Sequence, residues 1–175
     1  MKHPLLAAIR YAEDQDIDRV LSDFVAVQIA SGLRVEGALQ FRFSSGGDCH
    51  CADMDLQLIG TGKIFRISQP LGNGSTGCRL HPGMLAACSA HLETQIESGC
   101  DLLVLNRFGK GESEGRGFRD LISKALFSGV PVLTAVRSTY ADAWSDFSSS
   151  MGIELPFDKS AIYTWFGDLN RTNAA

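Results

Sequence analysis

Residues 103–117 read "LVLNRFGKGESEGRG", and the reading of this stretch decides the fold. An apolar run that begins at Leu102 stops at Asn106. Basic and acidic residues then alternate among Gly109, Gly111, Gly115 and Gly117. A nearly continuous apolar run is typical of a strand covered on both faces of a parallel sheet. Glycines and charges between such a strand and a helix-spaced segment mark a strand-to-helix turn. In open α/β sheets, that is where ligands bind.

Downstream, Phe118, Leu121, Ile122 and Ala125 predict a helix over about 116–127, stopped by Gly129. "VPVLTAV" is the next buried strand, "YADAWSDFSSSMG" a further helix, and "FDKSAIYTWFGDL" a final helix or strand–helix pair. Upstream, Leu5–Ile9 suits a buried first strand. Asp16 can cap a helix with apolar positions Ile17, Val20, Leu21, Phe24 and Val25, extended by Ile29 and ended by Gly32. Leu33, Val35, Leu39, Phe41 and Phe43 favour a strand, with Gly37 as a bulge or close approach. "MDLQLIGTGKIFRISQ" reads as a hairpin on a Gly-Thr-Gly turn. "PLGNGSTGCRLHPG" is a Gly-rich loop, and Pro82 then starts a helix through Met84, Leu85, Cys88, Leu92 and Ile96.

Strands alternate with helices, so the expected class is α/β with a mainly parallel sheet. A strand-rich β-hairpin insert at about 33–69 interrupts the alternation. A length of 175 residues with 45% apolar composition fits one domain over 1–175 with a full core. A net charge of -4 argues against a nucleic-acid binder. No stretch approaches the roughly 20 apolar residues of a membrane span, and the N-terminus lacks a secretion signal. The expected compartment is cytoplasmic, with the five cysteines reduced.

The element order resembles that of small, thermophile-type P-loop nucleoside triphosphatases. "VEGALQ" is similar to a G-F strand in that family, and "NRFGKGE" to its D-E-I-G-K-x-E-like motif. This implies a P-loop-NTPase-like three-layer sandwich. "DMDLQLIGTG", "GCRLHPG", "DLLVLNRFGKGESEGRG" and "VPVLTAV" more closely resemble a bacterial domain-of-unknown-function family. Its members are often labelled molybdenum ABC-transporter ATP-binding proteins. That label implies a link to molybdenum metabolism. An LSGGQ-like signature of full ABC ATPases is absent.

The chain departs from P-loop chemistry at both catalytic positions. A Walker A loop needs G-x-x-x-x-G-K-S/T, whose amides cradle phosphates and whose Lys reaches them. The loop after the first strand is instead "YAEDQDID", without Gly, Lys, Ser or Thr. Asp14 and Asp16 put negative charge where phosphate should sit. At the Walker B position, where the triphosphatases have acids, Asn106 and Arg107 stand. The sequence argues against a conventional P-loop NTPase.

Ligand-binding candidates therefore cluster at the opening loop. The amides of Gly109, Gly111 and Gly115 can form an anion nest. Arg107, Lys110 and Arg116 add charge, with Asn106 beside them. Glu112 and Glu114 oppose that charge, supply a base or metal ligand, or favour the helix start. Arg79 and His81 form a second candidate wall. Cys49, His50, Cys51, Cys78 and His81 could ligate zinc, but their spacing is tighter than usual, and no metal site is expected. Asp53 and Asp55 share a strand face, either as a metal pair or as a solvated face. Trp144 and Trp165 are expected in the core or at an interface, not as ligand platforms.

The expected function is a non-hydrolysing anion- or nucleotide-binding regulatory module. The alternative is a nucleotide hydrolase or phosphotransferase rebuilt at the "NRFGKGE" loop. The expected partner is a small anion or nucleotide, with a homodimer left open and no cofactor identified.

Overall fold

The computed structural model describes residues 3–41, 55–70 and 78–173. In chain order these form β1 (Leu6–Tyr11), α1 (Ile17–Ala30), β2 (Val35–Phe41), β3 (Asp55–Leu58), β4 (Ile64–Arg66), β5 (Ser68–Pro70), β6 (Cys78–Leu80), α2 (Pro82–Glu97) and β7 (Leu102–Leu105). Then follow α3 (Lys110–Ser113), α4 (Arg119–Phe127), β8 (Val132–Arg137), a 3-10 turn at Ser138–Tyr140, α5 (Ala141–Ser148), β9 (Gly152–Leu155) and α6 (Lys159–Asn173).

Seven strands form one sheet in the order β4-β3-β2-β7-β8-β1-β9, and β5 and β6 pair as a separate ribbon. The sheet is parallel from β2 to β9. The β3–β4 hairpin extends it antiparallel beyond β2, as expected of the Gly-Thr-Gly turn. β2 lies within the expected insert, yet it pairs parallel with β7 and belongs to the central sheet.

Side-chain alternation explains why the sheet is covered on both faces. In β1, Leu6 and Ala8 face one core while Ala7, Ile9 and Tyr11 face the other. β7 repeats this with Leu103 and Leu105 against Leu102 and Val104. α2, α4 and α5 close the first core through Leu92, Ile122 and Trp144. α1 and α6 close the second through Phe24 and Trp165. The result is an α/β three-layer sandwich, and both tryptophans are core residues.

Local details follow the sequence in most places. Asp16 caps α1 by accepting from the Arg19 N–H at 3.1 Å, and Pro82 opens α2. Gly37 is a close approach: at φ +140, a Cβ there would lie 1.8 Å from the Val104 carbonyl oxygen. Other expectations need correction. Ile29 is exposed, and Gln28 takes the inward position at the end of α1. The helix expected from Arg116 starts at Arg119, preceded by the one-turn α3. Asp55 is not on a solvated face; it is buried and faces Arg66 at 3.7 Å. Asp53, Cys49, His50 and Cys51 lie outside the described residues. Among the described residues, no cluster of His, Cys, Asp and Glu could hold a metal, and no helix is long and apolar enough to cross a membrane.

Candidate functional site

Because β1, β2, β7 and β8 run parallel, their C-terminal ends share one edge of the sheet. Tyr11, Gln40, Asn106 and Arg137 come together along it. The chain leaving β7 is held from both sides. The Asn106 N–H donates to Ala38 O at 3.1 Å and the Phe108 N–H to Ala135 O at 2.8 Å. Phe108 is buried edge-on against Trp144, with ring centroids 5.4 Å apart, and so anchors the loop that follows.

That loop is organised around its own carboxylate. Glu112 is buried; its Oε2 accepts from the Gly109 N–H at 3.0 Å and its Oε1 from the Phe118 N–H at 2.9 Å. Its backbone carbonyl takes the Arg119 guanidinium at 3.2 Å, and that guanidinium also stacks over Phe147. Glu112 is thus an internal anion, occupying amides that a free oxyanion would otherwise seek. The Gly115 and Arg116 amides are also engaged, with the Glu112 and Gly111 carbonyls.

Two hollows open at the strand ends. The first, about 480 Å³, lies over the β1–α1 loop and is lined by Glu13, Asp14, Asp16 and Asp18 together with Arg107 and Arg137. Here the loop satisfies itself: Gln15 Oε1 accepts from the Ala12 N–H at 2.7 Å, and Asp16 caps the helix. Two amides at this turn, of Ala12 and Arg19, are thus answered by side chains of the loop itself.

The second hollow, about 320 Å³, lies between the β7 loop and the sheet's far side. Leu56, Ile67, Leu85, Phe118 and Tyr140 give it apolar walls, and Asn106, Gly109, Lys110, Gly111 and Glu112 give it a polar rim. Tyr11, Gln40, Arg107 and Arg137 line both hollows. The Arg107 and Arg137 guanidiniums lie 5.8 and 5.7 Å from the Tyr11 ring centre. Arg107 also pairs with Asp18 at 3.0 Å, half-buried, and Arg137 approaches the exposed Glu13 at 3.8 Å.

Polar groups here are left over. Asn106 donates from Nδ2 to Gln40 at 3.3 Å, but its Oδ1 has no hydrogen-bond partner. Neither does Arg107 Nε nor Arg137 Nε, and all three atoms are buried. Buried polar atoms are nearly always paired, with protein or with ordered water, so these three call for partners beyond the protein's own groups.

The crevice gathers Asn106, Arg107, Gly109, Lys110, Gly111 and Glu112. Arg116 instead pairs with Glu114, and His81 caps α2 by accepting from the Met84 N–H at 3.1 Å; neither lines either of these two hollows. Arg79 stands in β6 opposite Gln69. Tyr11, Gln40 and Arg137 escaped the sequence reading. Their signal was available, since each lies at or near the C-terminal end of a parallel strand.

Fold and crevice together define a P-loop-NTPase-like α/β sandwich with a crevice at the C-terminal ends of its parallel strands. A solved human cancer-related nucleoside triphosphatase shares this fold, with a TM-score of 0.65 at 12% identity over 99% of this chain and 97% of that one. The chain belongs to the family described as protein of unknown function DUF2478, whose model matches residues 6–165. It is also 36% identical over 163 residues to the molybdenum import ATP-binding protein ModC 2 of Bradyrhizobium diazoefficiens. That match covers 93% of this chain but 18% of the relative, so the chain spans less than a fifth of the relative's length.

Proposed function

We propose that this chain is a non-hydrolysing nucleotide- or anion-binding regulatory module, acting at the crevice shared by Tyr11, Asn106, Arg107 and Arg137. One observation carries the reading. The buried atoms Asn106 Oδ1, Arg107 Nε and Arg137 Nε are unpartnered around one hollow. Two guanidinium donors and an amide acceptor suit an anionic ligand that also carries a hydrogen-bond donor. Gly109, Lys110 and Gly111 supply the rim, and Glu112 holds its shape. The name of the Bradyrhizobium relative suggests a setting in molybdenum metabolism, with this segment as an accessory part.

The absence of hydrolysis rests on the β1–α1 loop. Its amides answer Gln15 and Asp16, and its acids oppose a triphosphate. A hydrolase rebuilt at the β7 loop would need Glu112 as base or metal ligand, yet both of its oxygens accept backbone N–H groups.

Calorimetry with ATP, GTP, phosphate and molybdate, run beside a phosphate-release assay with magnesium, tests both parts. The expected outcome is saturable binding of a nucleotide or anion, weakened about tenfold or more by Arg137→Ala, with no steady turnover. Multiple-turnover phosphate release that disappears in Lys110→Ala or Arg107→Ala would overturn the non-hydrolysing part. No binding at millimolar ligand would overturn the binding part.

A further inference from the structure

We infer that the crevice takes a flat nitrogen heterocycle bearing a single phosphate, its ring in the 320 Å³ hollow and its phosphate on Arg107 and Arg137. This rests on the binding reading above and narrows its ligand.

Shape comes first. Small-molecule pockets run from roughly 300 Å³ upward and are mostly apolar with a few placed polar groups. This hollow is at the small end, enough for one ring system and a short tail. Its walls include Phe118 and Tyr140 with Leu56 and Leu85, surfaces that suit a planar ring.

Polarity fixes the ring's edge. Asn106 lines the hollow and is 6% exposed, and its buried Oδ1 is an unpartnered acceptor. A hydrocarbon ring would leave it unpartnered at a cost of about 1–3 kcal/mol, whereas a ring N–H would satisfy it. Arg107 Nε and Arg137 Nε are unpartnered donors, so the same ligand must bring an acceptor, best an anion. Arg107 and Arg137 line both hollows, so an anion where the two meet is within reach of both.

Charge fixes the number of phosphates. Beyond the two arginines lies the cleft lined by Glu13, Asp14, Asp16 and Asp18. A second or third phosphate would extend into that acidic cleft. Like charges at short range oppose binding, so one phosphate is favoured over three.

The test uses four probes on the whole chain by calorimetry: GMP, guanosine, ribose 5-phosphate and GTP, each with magnesium and with chelator. GMP is expected to bind at least about tenfold tighter than each of the other three in both buffers. Asn106→Leu should weaken GMP about tenfold or more and leave ribose 5-phosphate unchanged. Arg137→Ala should weaken GMP and ribose 5-phosphate alike and leave guanosine unchanged. GTP binding as tightly as GMP would overturn the inference while the broader binding reading stands. GMP no tighter than ribose 5-phosphate would remove the ring subsite. Silence from all four probes, and from phosphate and molybdate, would sink both readings. Should Asn106→Leu fail to fold, the ranking of the four probes on wild-type protein decides alone.

Discussion

Glu112 does for its loop what a bound anion does for a phosphate loop: it gathers N–H groups around negative charge. Gly117 makes this possible. At φ +63, a Cβ on Gly117 would lie 2.2 Å from Glu112 Oε1. Gly117→Ala must therefore strain the backbone and push the carboxylate off the Phe118 N–H, costing about 2 kcal/mol or more. Glu112→Gln should cost about 1–3 kcal/mol, because one oxygen that accepts an N–H becomes a donor. Urea unfolding measures both, and losses below about 0.5 kcal/mol would mean the loop does not depend on this carboxylate. Glu36 gives a pH-dependent case. Burial raises its pKa above the ordinary carboxylate value, and nearby Arg34 and His91 offset this only in part. The folded state thus favours neutral Glu36, so its contribution is full below the ordinary value and is lost as pH rises through the raised one. Glu36→Gln should gain stability relative to wild type as pH rises across that window, and match it most closely at the acidic end. Thermal melts across pH check this; a gap that does not change with pH would refute it. Sequence showed that the β7 loop was rich in charge, but not which charges answer each other. Glu112 read as an opposing acid or a base because its two amide partners, at Gly109 and Phe118, appear only once the loop closes.

The element scale was the most legible, because caps and periodicity are local. Asp16 illustrates it. Its carboxylate accepts from the Arg19 N–H, so the helix that would present free amides to phosphate arrives capped. Asp16→Ala should cost about 0.5–2 kcal/mol without creating nucleotide hydrolysis. Circular dichroism melts with a phosphate-release assay check it, and a gain of turnover would show the loop to be a blocked phosphate cradle. α1, α2, the hairpin and the buried strands β1, β7 and β8 were readable for the same reason: each carries its pattern within its own residues. The failures are non-local. α4 starts at Arg119 and not Arg116 because Arg116 is drawn into the turn that closes on the Gly111 carbonyl. β9, "GIEL", is an edge strand of four residues with one buried position, too short and too polar to show a period. Among the described residues β5 and β6 pair only with each other, and they lie in a stretch read as a loop and a hairpin end. Membership of β2 in the central sheet is a fact about β7, which is far away in sequence.

For the whole molecule, the question is whether anything besides packing holds the fold. Small domains need disulfides or structural metals because they bury too little surface. This chain has 175 residues and two cores, one on each face of a seven-stranded sheet. Each core includes a tryptophan at or below 4% exposure, Trp144 on one side and Trp165 on the other. Trp165 also ties α6 to the chain start, donating from Nε1 to Pro4 O at 2.8 Å. The described thiols are unsuited to a staple. Cys88 and Cys100 are free, and burial pushes both to about 11, so little thiolate exists at neutral pH for exchange or metal binding. Among the described residues, packing carries the stability. Reductant and chelator, separately or together, are expected to move the melting temperature by less than about 2 °C, below the roughly 2–4 °C that 1 kcal/mol makes in a domain of this size. The comparison is made on protein purified without either agent, with zinc quantified by elemental analysis. Cys49, Cys51, Cys78 and His81 are the residues this experiment puts at risk. Stoichiometric zinc, with unfolding on chelation, would show that a metal clip on those residues carries stability that the two cores do not.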